Sequence, residues 1–406
     1  MATETENWAV KEMEVIELFT PSVPIDENDL FAGRGSEINQ LVETVLQKGQ
    51  HAILYGERGV GKTSLARTFS TKLIRPTKTL SCVMVNCDPS DDFQTLWRKV
   101  YADLGGEGAA LRDTNDVITP DAIRRTLAGF DLTTTPIIIL DEFDKLADAH
   151  ARTLIANTIK ALSDYAVPAT IILVGVAKSV GELIEGHASI GRALVQIQMP
   201  RMSPTELGEI LDKRLPRIGM QITREGKAQI IGLSRGLPHY AHLLGQFAAK
   251  TAIGLRTLTI TEAHVDQAER DCLTRTHQTT REQYHRATHS PRQGNIYKQV
   301  LLACALAEPD TLGFFPAKAV EFPLSTIMAA EYKVNKFGQH LTKLCEANRG
   351  SILEVTGSTR RYRYRFVEPL MQPYVILQGL ADGLVTKQTL KKITPNFLQP
   401  RLSSDF

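Results

Sequence analysis

The sequence predicts an α/β protein built on a doubly wound parallel sheet, followed by a helical domain and then by a domain of helices with a two-stranded ribbon. Three observations predict it. Short apolar runs at 82–85, 137–140, 171–176 and 195–198 are separated by segments long enough for helices, the pattern of strands buried on both faces. Another run, His51 to Tyr55, leads straight into Gly56-Glu57-Arg58-Gly59-Val60-Gly61-Lys62-Thr63-Ser64 and then into a helix-forming stretch. After Met202 the strand-like runs give way to apolar residues at three- and four-residue spacing.

Taken in order, residues 1–30 mix acids with Pro21 and Pro24, show no sustained period and read as an acidic arm. Residues 31–200 hold the sheet domain, entered through a helix whose face is Ile38, Leu41, Val42, Val45 and Leu46. Residues 201–272 read as an all-helical domain. It opens on Ser203-Pro204-Thr205-Glu206, a capping box with proline at the first helical position, and continues with helices over 223–234, 238–253 and 261–271. The polar, Thr/His/Arg-rich stretch 273–295 reads as a linker. In 296–383, helices precede strands at 352–356 and 361–366 with a turn at 357–360, the ingredients of a winged helix-turn-helix. Residues 384–406 read as a basic tail.

At 406 residues and 43% apolar the chain can bury more than one core. Its net charge of +2 hides an uneven distribution. Residues 1–30 carry eight acids against Lys11, whereas from Arg270 onward there are 19 basic and 11 acidic residues, an excess that favours anionic partners. Five cysteines without paired spacing fit neither a disulfide framework nor a zinc site, and no apolar run reaches the roughly 18 residues of a membrane span. The expected location is the cytoplasm, with no membrane partner.

The pattern Gly56-x4-Gly61-Lys62-Thr63 is a complete phosphate loop. Its glycines let backbone N–H groups turn toward phosphates, Lys62 reaches the outer phosphates, and Thr63 offers its hydroxyl to Mg2+. The following helix adds the positive end of its dipole. Ile137 to Leu140 ends in Asp141-Glu142. An acid at the end of a buried strand holds magnesium, and its neighbour orients and deprotonates water, so the pair points to hydrolysis and not to binding alone. No Asn-Lys-x-Asp element or Leu-Ser-Gly-Gly signature is present to place the chain among guanine-specific switches or transporters.

Phosphate loop, Asp141-Glu142, a further strand at 170–176, a helical domain and a terminal winged helix together resemble AAA+ ATPases of the origin-recognition and bacterial initiator-like group, over about residues 31–380. The resemblance implies ATP and Mg2+ as cofactors, a homo-oligomer, and double-stranded DNA as partner. It implies that Arg34, in Gly33-Arg34-Gly35, lies near the adenine, and that Arg192 is the arginine finger reaching a neighbouring subunit. It also implies a polar γ-phosphate sensor ending the fourth strand, where this chain offers Lys178 or Ser179 in place of the usual amide. Gly236-Leu237-Pro238-His239 resembles the Gly-x-Pro element of STAND-type switch ATPases, which places Pro238 at the nucleotide and puts His239 where an arginine sensor is usual. These departures bear on turnover, and they keep open a second reading, a STAND-like adaptor regulating a protein partner in bacterial defence or on a mobile element.

In Arg361-Tyr362-Arg363-Tyr364-Arg365-Phe366 the alternation puts arginines on one strand face and aromatics on the other. With Arg360 at the turn, this edge suits phosphates. The preceding helix, about 336–347, can present Lys336, Gln339, His340 and Lys343 to a groove. DNA binding is the first reading of this surface, with protein docking, which winged helices also perform, as the second.

Overall fold

The computed structural model describes residues 4–21, 30–72, 79–104, 117–130, 134–176, 190–291, 294–358 and 361–394. Its packing divides the chain into two units, one of Pro24–Glu57 with Gly61–Pro200, the other of Met1–Val23, Arg58–Val60 and Arg201–Phe406.

The first unit is the expected parallel α/β sheet. Strands β1 (His51–Gly56), β2 (Thr79–Asn86), β3 (Thr134–Asp141), β4 (Thr170–Gly175) and β5 (Leu194–Met199) lie in the order β2-β3-β4-β1-β5, and all their pairings are parallel. Each apolar run read from the sequence falls in one of these strands, except that Val176, read as the end of the fourth run, lies just past β4. Ile53, Leu54, Ile137–Leu140 and Ile171–Leu173 are wholly buried, each contributing roughly 1.5–3 kcal/mol of transfer free energy. Register is anchored at the start of β1, where the buried His51 Nδ1 accepts the Ile171 N–H at 2.9 Å. Burial pushes the His51 pKa down to about 4, so the ring is neutral and free to accept.

Helices α2 (Gly35–Leu46), α3 (Lys62–Lys72), α4 (Phe93–Leu104), α5 (Pro120–Ala128) and α6 (Ala149–Asp164) cover the sheet. From α4, Phe93, Trp97 and Tyr101 enter the core, the last two rings 5.8 Å apart.

The second unit begins with a correction. The acidic N-terminal segment is a helix, α1 (Glu4–Leu18), followed by a turn that clips onto the helical domain. Phe19 is fully buried, its ring 6.1 Å from that of His242, and its carbonyl accepts from Gln246 Nε2 at 2.8 Å. The buried Arg214 donates Nε to the Leu18 carbonyl at 3.0 Å. Close packing makes glycine necessary at 245, where a Cβ would lie 2.7 Å from Phe19 Cε1.

Helices α7 (Pro204–Arg214), α8 (Arg224–Ser234), α9 (Pro238–Gly254) and α10 (Glu262–Arg275) match the expected helical domain, and the Ser203/Glu206 capping box forms in both directions. The domain is not all-helical, however: β6 (Gln221–Ile222) and β7 (Thr259–Ile260) make a short parallel pair.

The stretch 273–295 is also not a plain linker. It contains α11 (Gln278–Thr288), which buries Tyr284, Ala287 and Thr288 and sets the Tyr284 ring edge-on to Tyr374 at 5.6 Å. Then come α12 (Tyr297–Leu306), α13 (Glu321–Met328), α14 (Val334–Leu344), α15 (Met371–Ala381) and a sheet of order β8-β10-β9, from Phe315–Pro316, Arg363–Phe366 and Leu353–Thr356. The expected ribbon is therefore present with a third, short strand. The basic tail starts as α16 (Lys387–Ile393), which buries Leu390 and Ile393. Among the described residues no helix is long and apolar enough to cross a membrane.

Candidate functional site

The phosphate loop leaves the end of β1 and enters α3 at Lys62. Two different constraints demand its glycines. At Gly56 a Cβ would sit 2.4 Å from the Met199 carbonyl oxygen, so close approach of β5 excludes any side chain. Gly59 and Gly61 have φ of +83° and +95°, conformations that L side chains rarely adopt. Glu57 and Val60 are buried, whereas Arg58 is exposed. Lys62 Nζ donates to the carbonyls of Gly56 at 3.1 Å and Glu57 at 2.7 Å, holding the ammonium inside the loop. Ser64 follows in the first turn of α3.

Asp141 closes β3 and is 2% exposed. Burial pushes its carboxyl pKa up, against hydrogen bonds from the Thr63 hydroxyl and the Glu142 N–H, the latter 2.8 Å from Oδ1. β3 and β1 are not neighbours, since β4 runs between them. The Thr63 contact therefore brings two separated strand ends to one point on the carboxyl edge of the sheet, where open α/β sheets bind ligands. A hydroxyl against a buried carboxylate is an all-oxygen donor set suited to Mg2+, and a cation there would offset the cost of burying the Asp141 charge.

Glu142 adopts a left-handed backbone, φ +54°, and its carboxylate takes a 2.6 Å ion pair from Lys145. Such a conformation costs on the order of 1 kcal/mol and recurs at functional sites. Lys145 belongs to no motif; the short turn of Phe143–Lys145 after β3 brings it to Glu142.

The remaining expected site residues have mixed fates. Arg34 precedes α2 with φ +65°, and its guanidinium is buried, donating to the Pro200 carbonyl at 2.8 Å and facing Glu37 at 3.4 Å. Its side chain is thus engaged with protein groups. Lys178 and Ser179 lie outside the described residues. Arg192 is exposed just before β5. Leu194 pairs with His51 and Met199 with Gly56, so Arg192 stands roughly 20 Å from the phosphate-loop end of its own sheet at about 3.3 Å per residue. The phosphate loop of its own chain is out of its reach.

Pro238 is the first residue of α9. Around it, Gly236 has φ +79° and would set a Cβ 2.7 Å from Arg201 Cβ, and Leu237 is wholly buried. His239, expected in a sensor's place, has its Nδ1 2.7 Å from the Pro21 carbonyl, and burial pushes its pKa down. The ring is used to hold the N-terminal clip. Arg235, unremarked in the sequence, is buried with φ +51° and donates to the Ala307 carbonyl at 3.1 Å. Burial and the nearby Arg201 bring its pKa down to about 9.

In the C-terminal domain, α14 buries Phe337, Leu341 and Leu344 and exposes Lys336, Gln339 and Lys343, as expected. His340 is instead half-buried, its ring 4.8 Å from that of Tyr297. The arginine edge requires correction. Arg365 pairs with Glu354 and lies 4.4 Å over the Phe314 ring, and Arg363 is 2.8 Å from Asp310. Both charges are locally neutralised, because each faces an acid across the sheet or its connecting loop. Arg361 stays exposed, and Arg360 lies outside the described residues. Tyr364 and Phe366 are buried as the alternation demanded, but Tyr362 is exposed.

Comparison with known proteins agrees with the fold. Residues 45–183 match the AAA domain family. The chain is 26% identical over 209 residues to the ORC1-type DNA replication protein 2 of Thermoplasma acidophilum, covering 48% of this chain and 50% of that protein. It is 34% identical over 121 residues to the ORC1-type DNA replication protein 1 of Halobacterium salinarum, covering 28% and 38%. These alignments span half or less of the length of the curated relatives. Among solved structures, the Aeropyrum pernix ORC2 protein, solved as ADPNP and ADP complexes, aligns with TM-score 0.54 at 15% identity over 96% of this chain and 99% of that one. The Walker-type ATPase paby2304 of Pyrococcus abyssi aligns with TM-score 0.53 at 15% identity, over 88% and 99%.

Proposed function

Given a P-loop protein of the AAA+ fold whose sequence is similar to ORC1-type replication proteins, we propose that the chain binds ATP with Mg2+, hydrolyses it, and couples nucleotide state to double-stranded DNA as a homo-oligomer. The observation that carries the proposal is the Thr63–Asp141 contact at the end of the sheet, with Lys62 and Glu142 as the chain neighbours of its two partners.

In this reading the loop N–H groups and Lys62 bind the phosphates, while Thr63 and Asp141 hold Mg2+, which supplies charge neutralisation on the phosphate oxygens. Glu142 accepts the proton of the attacking water, once its carboxylate exchanges the Lys145 partner for that water. Arg192, too far from its own loop, acts on the site of a neighbouring subunit. DNA contact belongs to the C-terminal domain, read as a winged helix through α14 and its three-stranded sheet. The replication role named for the relatives supports this over a protein-docking adaptor.

The direct test is steady-state ATP hydrolysis by Glu142→Gln protein with nucleotide binding measured in parallel. The expected result is retained binding with turnover reduced about 100-fold or more. Turnover equal to the parent would refute the assignment of Glu142.

A further inference from the structure

Helix α11, which the sequence offered as a linker, has two faces. One is buried through Tyr284, Ala287 and Thr288. The other, with the loop after α14, lines an open concavity of about 850 Å3 that carries the guanidinium groups of Arg281, Arg286 and Arg349 against one carboxylate, Glu282. His285 and His289 stand one turn apart on its wall, their rings stacked 4.9 Å apart at 17°, and Asn348 closes the end.

Two of the arginines are fixed in place. Arg281 donates to the Thr276 carbonyl at 2.8 Å, and Arg349 donates to the carbonyls of Ala287 at 3.0 Å and His289 at 2.9 Å. Arg286 is exposed and has no hydrogen-bond or ion-pair partner among the described residues. The lining groups are strung along α11 from 278 to 289 and do not converge on one point. At 1.5 Å per residue that is about 16 Å, the axial rise of roughly five base pairs. A run of phosphates fits this spacing better than a single anion.

The concavity also joins the candidate DNA-reading helix. The Arg349 guanidinium lies 3.6 Å over one side of the Tyr297 ring, and His340 of α14 meets the same ring at 4.8 Å. Tyr297, itself buried, thus packs between Arg349 of the groove and His340 on the half-buried side of α14.

We propose that the α11 groove binds the phosphodiester backbone of double-stranded DNA, as a second contact continuing from α14; the inference rests on the DNA reading above. The test uses the full chain and a short labelled duplex, with affinity measured by fluorescence anisotropy at several KCl concentrations. A groove variant, Arg286→Ala with His285→Ala and His289→Ala, spares the two arginines that brace the backbone; a helix variant carries Lys336→Ala with Lys343→Ala. The groove variant should bind several-fold more weakly on every duplex sequence, with its log K against log [salt] slope shallower by about one.

If the groove variant keeps the parent's affinity and slope while the helix variant loses both, the groove proposal fails and the DNA reading stands. If the parent binds no duplex, both fail. Competition by poly-glutamate as effective as that by duplex of equal charge would show a surface for acidic protein and overturn the nucleic-acid assignment.

Discussion

Asp141 is held where its charge is costly. Burial raises its folded pKa above the unfolded value, so its contribution to stability is fully present below the unfolded pKa and is lost as pH rises through the folded pKa. Asp141→Asn should therefore raise the melting temperature of nucleotide-free protein at pH 7, with the gain shrinking as pH is lowered toward 4, while Mg2+-dependent nucleotide binding falls. Thermal scans across that range, with and without Mg2+-ATP, check both parts. Lys62→Ala should erase the stabilisation by ligand, which for the parent at 100 times its dissociation constant amounts to about 2.7 kcal/mol. The motifs at this scale were legible in the sequence, because Gly56 to Thr63 and Asp141-Glu142 are local patterns, and the structure brings them together at one end of the sheet. The Lys145 pairing and the left-handed backbone of Glu142 are set by the chain's path after β3, which no pattern of residue types records.

Among the elements, the strands were readable because a parallel sheet buries both faces and leaves continuous apolar runs. Helix α1 was not readable. Its apolar residues go all the way round, with Val15 buried while Val10, Met13 and Ile16 are exposed, so no single face stands out in the sequence. What docks it is the long-range burial of Phe19 against α9. Phe19→Ala should cost about 3–5 kcal/mol of unfolding free energy by urea titration of the second unit. In α11, the buried Tyr284 and Ala287 are too few to rise above the Thr, His and Arg around them. The arginine strand failed in a different way. Alternation correctly gave the two faces of β10, but the acids opposite Arg363 and Arg365 come from 310 and 354 and are invisible to a local reading. For β1, the His51 ring has a folded pKa depressed to about 4, so its contribution is present above the unfolded value near 6.5 and is lost as pH falls toward 4. The loss is on the order of 3 kcal/mol. His51→Gln should flatten that part of the stability-against-pH curve measured by denaturant unfolding.

For the molecule as a whole, the position of Arg192 at the amino end of β5 has a kinetic consequence. If it completes a neighbour's site, ATPase activity per chain must rise with protein concentration. Arg192→Ala should remove that rise while leaving nucleotide affinity in place; activity proportional to concentration throughout, in parent and variant alike, would show that no second subunit contributes.

The N-terminal clip also shapes how the protein is made. Phe19 finds its partner Gln246 across 227 residues. At about 5–20 residues per second, a nascent chain waits roughly 10–45 s between making the clip and making the surface that covers it. Throughout that interval Phe19, just past the end of a helix of marginal length for water, lacks the surface that buries it in the folded chain. The second unit therefore cannot close in the order of synthesis. It requires the whole sheet domain to be translated first, which makes the clip the place where holding by a chaperone would matter most.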